Sequence, residues 1–188
     1  PVERDPGEGW TLASYTDGRP HSGVLTTNSF MFRYTTTPSN ANRRRANAIS
    51  RIFLCHDYLA RPIQFDREVS LLDEAALADA IQNNPSCVNC HNSLDPLASY
   101  LFGFFTYNPY AVNEITTYSP ERERLWQETT GVAPAFYGTP GYTMDDLGHA
   151  IAGDSRFVQC AVESTWELLL RRETRLSDTD ALTQHREV

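Results

Sequence analysis

Two thiols three positions apart with an imidazole directly after them, Cys87-Val88-Asn89-Cys90-His91, are the stretch of this chain with the most specific chemical signature. One turn of helix brings positions i, i+3 and i+4 to a common face. Both thiols can then bond the vinyl-derived carbons of one porphyrin edge while the neighbouring imidazole reaches its iron. This is the attachment pattern of a c-type haem. The expected cofactor is one covalent haem c, bound through Cys87 and Cys90, with His91 as an axial iron ligand. Other uses of a Cys-x-x-Cys pair fit less well. Zinc asks for a second pair at ligand spacing, and the remaining cysteines, Cys55 and Cys160, lie far apart. A redox dithiol expects a buried strand ahead of it, whereas Asn83-Asn84-Pro85-Ser86 reads as a turn entering a helix.

The second axial position has several candidates. Met144 ranks first, at a loop-to-helix junction downstream of the haem motif; Met31 and His56 are the alternatives, and His149, His21 and His185 come behind them. The competing reading of Met144 is an ordinary core methionine, since it shares a face with Leu147 and Ile151. A vacant position would point to gas binding or peroxide chemistry instead of simple electron transfer.

Helices must position these groups. Apolar residues recurring at three and four positions predict a helix capped by Ser39 or Asn40 and ending before Arg61-Pro62, with Ile49, Ile52, Phe53, His56 and Leu59 on its inner side. Arg43, Arg44 and Arg45 open it, where the helix dipole is already positive. A haem propionate against Arg44 and Arg45 would relieve that, the alternative being a solvated basic patch. A second helix is expected from Ser70 as cap to Asn83. Asp95-Pro96 reads as N-cap and first turn of another, whose Leu97, Tyr100, Leu101 and Phe104 would wall the porphyrin. Further helices are expected at Glu121 to Thr129, from Thr143 to Gly153, and from Asp154 to about Glu173, the last carrying Phe157, Cys160, Ala161, Ser164, Leu168 and Leu169. Gly131 to Gly141 reads as irregular. Ser177 to Val188 reads as the opening of one more helix, which predicts that the natural chain continues.

The first 38 residues lack a sustained period apart from a short helix around Asn28 to Tyr34, and predict a long irregular arm wrapping a core made elsewhere, with Phe30, Met31 and Phe32 buried and Trp10 and Tyr15 as packing groups. The fold class expected is all-α: a cytochrome c-like helical domain over residues 39–188 around one haem, with the arm at 1–38.

With 24 acidic against 16 basic residues, the formal charge of −8 argues against nucleic acid and suits a basic protein partner. No apolar run approaches the length of a membrane span. Haem c attachment takes place outside the cytoplasmic membrane, and with Pro1 as first residue the reading is an exported, periplasmic or extracellular chain. In such an oxidising compartment Cys55 and Cys160 are candidates for a disulfide, with two buried thiols as the alternative.

In order along the chain, "HSGVLTTNSF", "RRRANAISRIFLC", "NNPSCVNCHNSLDPLASYLFGF" and "SRFVQCAVESTWELLLRRE" resemble the planctomycete-type cytochrome c domains of large secreted multidomain proteins, over most of Gly18 to Val188. In that family Cys-x-x-Cys-His is followed closely by Asp-Pro-Leu-Gly; here Asp95-Pro96-Leu97 is followed by Ala98. The family's Phe-Asp element is replaced by Tyr107-Asn108-Pro109-Tyr110, and Leu94 stands where Met is common. The resemblance implies a monohaem domain and carries Cys87, Cys90 and His91 across.

The function expected is single-electron transfer to or from a redox partner protein, or within a larger membrane-associated or extracellular assembly. The alternatives are a peroxidase-like haem enzyme or sensor with an open distal site, and a structural haem subunit.

Overall fold

The computed structural model describes residues 2–3, 14–60, 72–106, 114 and 116–186. Within them the architecture is helical: α1 (Asn28–Arg33), α2 (Arg43–Leu54), α3 (Glu74–Asn83), α4 (Pro85–Ser99), α5 (Trp126–Thr129), α6 (Met144–Gly153), α7 (Ser155–Leu170) and α8 (Thr179–Arg186). Among the described residues, strand is confined to two short antiparallel pairs. β1 (Val2–Glu3) pairs with β2 (Ser14–Tyr15), and β3 (Ala135–Phe136) pairs with β4 (Thr139–Pro140). No helix among the described residues is long and apolar enough to cross a membrane.

One apolar cluster runs through the molecule. Ile49 of α2, Leu97 and Leu101 at the end of α4, Phe104 beyond it, and Met144 and Leu147 of α6 are all buried in it. Leu25, Phe30 and Met31 join the same cluster, so the part of the N-terminal segment described from Ser14 onward supplies core rather than only covering it, while Phe32, expected to be buried, is exposed on the other side of α1. Arg19 fastens that segment: it donates to the carbonyls of Thr26 and Thr116 at 2.7 and 2.9 Å and stacks on the Tyr15 ring at 3.8 Å. The expected burial of Trp10 lies outside the described residues.

Several boundaries differ from the sequence reading. Helix α2 starts at Arg43 instead of Ser39 because Ala41 and Asn42 adopt positive φ, and the Asn42 N–H donates to Thr36 Oγ1 at 2.8 Å. It stops at Leu54, where Cys55 turns left-handed at φ 50°. Ile52, read as an inner residue, is exposed because α2 turns Ala46, Ala48 and Ile49 inward instead, and Leu59, read on the same face, lies beyond the end of the helix and is exposed as well. The Ser70 cap lies outside the described residues; Asp73 caps α3, its Oδ1 accepting from the Ala75 and Ala76 amides. Gly131 to Gly141, read as irregular, contains the β3–β4 hairpin. Its two linking residues, Tyr137 and Gly138, have φ of 45° and 90°, the left-handed pair that matches strand twist in a tight turn.

The Thr143 and Asp154 caps form as read: Thr143 Oγ1 and the Asp146 carboxylate make a reciprocal capping box, and Asp154 accepts from the Arg156 amide. Leu168 and Leu169, near the end of α7, are exposed. A disulfide joins Cys55 at the end of α2 to Cys160 in α7, with Cα atoms 5.2 Å apart. This staples the helix before the Cys-x-x-Cys-His motif to one far beyond it.

Candidate functional site

The motif sits inside α4. Asn84 caps the helix by accepting from the Ser86 amide at 3.0 Å, and Pro85 occupies the first turn, where its missing N–H costs nothing. Cys87, Cys90 and His91 therefore stand at i, i+3 and i+4 on regular helix and share a side. All three are half-buried, and neither thiol is in a disulfide.

The helix runs on through Pro96, which corrects the expectation of a new helix at Asp95-Pro96. Asp95 is not a cap. It is 3% exposed, one turn beyond His91, and its carboxylate takes a forked ion pair from Arg43, Nε to Oδ1 at 2.7 Å and Nη2 to Oδ2 at 2.9 Å. Oδ1 also lies 2.9 Å from His91 Nδ1. Burial pushes the Asp95 carboxyl up, but the hydrogen bonds from Arg43 and His91 together outweigh it and hold the group below the usual carboxylate range. The paired cation and imidazole donor make it possible to keep the Asp95 charge inside the protein. The Ser99 hydroxyl donates to the Asp95 carbonyl at 3.0 Å.

Two hollows adjoin this helix. A cleft of about 780 Å³ is lined by Arg43 and Asp95 on one side, by Leu77, Ala78 and Ile81 of α3, and by Thr130 and Val132 opposite. A smaller one, about 190 Å³, holds Cys90 together with His56, Tyr58, Ser93 and Tyr137. There the Tyr58 hydroxyl and Ser93 Oγ lie 2.9 Å apart, and the His56 ring meets Tyr58 edge-on, with centroids 4.7 Å apart. Burial, ahead of weaker effects from Ser93 and Tyr137, pushes the Tyr58 phenol well up.

A planctomycete cytochrome-type family model, PSCyt3, described as a protein of unknown function (DUF1588), matches residues 21–110. Over that stretch the chain is similar to PSCyt3. No curated protein and no solved structure matches the chain. The stretch similar to PSCyt3 spans α1 to α4 and includes Cys87, Cys90, His91, Arg43 and Asp95; Met144 and Cys160 lie beyond it.

The other residues singled out in the sequence are distributed as follows. Leu97, Tyr100 and Leu101 are buried at the end of α4 in the shared core. Met144 and Met31 are 2% and 0% exposed in that same core, whereas His56 shares the smaller hollow with Cys90. Arg44 is exposed at the start of α2. Arg45 is fully buried, and its guanidinium donates to the carbonyls of Tyr34 at 2.7 Å and Phe104 at 2.9 Å and to Asn42 Oδ1 at 3.0 Å. Those bonds hold Arg45 inside the protein, tying α1 and the end of α4 to α2. Burial, with the Arg122 cation as a lesser cause, pushes Arg45 down to about 10, so it stays charged at neutral pH.

Sequence reasoning missed Arg43, Asp95, Tyr58 and Tyr137 as neighbours of the motif. For Asp95 a signal was present, four residues after His91 and so on the same helical side. Arg43 and the tyrosines come from other elements, and no spacing rule reaches them.

Proposed function

We propose that this chain holds one covalent haem c through Cys87, Cys90 and His91 and passes single electrons to and from a protein partner. The observation that carries this reading is the helical face of α4. It presents two unpaired thiols and, one position on, an imidazole whose Nδ1 faces a carboxylate, leaving Nε2 as the donor. That donor set fits a porphyrin, which brings its own ring of nitrogens and asks the motif for one imidazole and two thioether bonds. Among the described residues, no group of three or more His, Cys, Asp and Glu side chains is gathered to hold a bare metal ion. When bound, the haem would supply a one-electron ferric/ferrous couple.

The chain's own part in this function is to hold and shield. Asn84 and Pro85 fix the start of α4 so that both thiols lie on one side, and Asp95 holds the His91 ring in one orientation. Leu97, Leu101 and Phe104 keep water from the core behind the motif. The surface, at a net charge of −8, favours a partner with a basic face. An exported location is part of the proposal, and the Cys55–Cys160 disulfide is in keeping with an oxidising compartment.

The test is the visible spectrum of the purified protein, oxidised and reduced, with carbon monoxide added to the reduced form, alongside the intact mass. A mass increment of one haem that is lost in Cys87→Ala/Cys90→Ala, with a low-spin spectrum indifferent to carbon monoxide, supports the carrier. A high-spin spectrum that shifts with the gas replaces it with an open-site enzyme or sensor. With a low-spin spectrum, Met144→Ala, Met31→Ala and His56→Ala then identify the second ligand by which of them opens the site to the gas.

A further inference from the structure

The unexpected feature of α4 is a carboxylate buried against the iron-binding imidazole and shared with a cation. Arg43 bonds both Asp95 oxygens, at 2.7 and 2.9 Å, and so holds the carboxylate ionised. An ionised carboxylate only accepts hydrogen bonds. The 2.9 Å contact between His91 Nδ1 and Asp95 Oδ1 is therefore Nδ1–H donating, which fixes the tautomer with its lone pair on Nε2. Histidines that bind metals commonly give their second N–H to such a partner, which orients the ring and makes the other nitrogen a stronger donor.

We infer that Asp95 is a positioning residue for His91 that strengthens Nε2 as a donor and biases the bound haem toward the ferric state, with Arg43 restraining the bias. This rests on the haem reading above. The direction follows from charge. A more electron-rich imidazole stabilises Fe(III) over Fe(II) and lowers the reduction potential. Arg43 works against it, because its Nε lies on the same Oδ1 that receives the His91 proton and draws density from that oxygen. In the couple itself one electron from a redox protein converts Fe(III) to Fe(II). No covalent bond forms or breaks, and the Nδ1 proton stays on His91.

The carboxylate is also placed to resist dilution of this effect by water. Asp95 is 3% exposed, and the His91 side chain is 23% exposed. With the carboxylate side of the bond buried, the hydrogen bond is less weakened by water than one at the surface.

The experiment is a potentiometric titration of the haem-bearing protein followed by visible absorption, with ferric electron paramagnetic resonance on the same samples. It compares wild type, Asp95→Asn and Arg43→Gln. Asp95→Asn keeps the shape and removes the charge. It is expected to shift the couple toward Fe(II) by about tenfold, a rise of about 59 mV for one electron. Its ferric g values should also move toward those of a neutral imidazole ligand. Arg43→Gln is expected to shift the couple the opposite way by a few-fold, and it carries the test by sign if Asp95→Asn does not fold. An Asp95→Asn protein with attached haem and an unchanged potential overturns the inference. So does a raised potential with unchanged g values, which would make Asp95 a distant charge and not a partner of His91. A wild-type chain whose mass shows no haem overturns the haem reading, and this inference with it; the two failures are thereby told apart.

Discussion

Oδ1 of Asp95 receives Arg43 Nε at 2.7 Å and His91 Nδ1 at 2.9 Å, so one buried oxygen ties the start of α2 to the Cys-x-x-Cys-His turn of α4. The tie is structural whatever α4 binds. It spans 52 positions of chain between Arg43 and Asp95.

Removing one partner leaves a buried charge without its counterion, the costly half of any buried ion pair. Asp95→Ala is expected to destabilise the fold by about 3 kcal/mol. Arg43→Ala should cost at least as much, because it strands the Asp95 carboxylate, whose side chain is 4% exposed, whereas the Arg43 side chain left by Asp95→Ala is 20% exposed and can be partly rehydrated. Denaturant unfolding of both variants and of the double variant checks this. Additive losses would show that the pair is not coupled.

The disulfide between Cys55 and Cys160 closes a loop of 105 residues. In the chain-entropy account such a loop contributes about 5 kcal/mol. Cys55→Ser/Cys160→Ser, or the wild type under reductant, should lose an amount of that order in guanidinium unfolding. Free Cys87 and Cys90 make reduction alone ambiguous for the chain without haem, so the double serine variant is the cleaner measurement.

Arg45 bridges the backbone of Met31, Tyr34 and Phe104 with a planar fork of donors. Lysine keeps the charge but has one compact donor group and cannot reach all three. Arg45→Lys is expected to lose about 2 kcal/mol or more, measured by thermal or denaturant melting. A loss near zero would mean that the charge, and not the fork, is what the interior requires.

Gly141 faces the Tyr100 ring closely enough that a Cβ added there would lie 2.9 Å from Tyr100 Cζ and nearer still to its hydroxyl. Gly141→Ala should therefore destabilise by about 1–3 kcal/mol. In a Tyr100→Phe background the loss should shrink, since the closest atom is gone. The difference between the two backgrounds, read from unfolding curves, checks that the contact is the cause.

Asp17 bonds Arg19 through both oxygens, at 2.8 and 2.5 Å, and Arg19 lowers its carboxyl to about 2 from an ordinary 3.8. A depressed carboxyl stabilises the fold above its unfolded value, and the benefit disappears as pH falls from about 4 to about 2. The expected loss is about 1 kcal/mol after allowing for solvent screening. Asp17→Asn should flatten the acid limb of a stability–pH curve over that window and leave its shape at neutral pH unchanged.

The chain by itself determined what local rules govern. The Cys87, Cys90 and His91 face follows from helical spacing. The starts of α6 and α7 follow from the side chains of Thr143 and Asp154, each of which bonds amides within one turn. The pairing of Cys55 with Cys160 was legible because the other two cysteines belong to one motif. Tertiary structure decided what depends on groups distant in sequence. Asp95 looks like a cap beside Pro96, yet Arg43 from α2 and His91 from the preceding turn make it a buried counterion, and the helix continues through the proline. Arg44 and Arg45 are neighbours of one type; only packing sends one to the surface and the other onto carbonyls inside. Met144 in the core and His56 beside Cys90 have the same origin, because burial is a property of how helices meet and not of the residues taken one at a time.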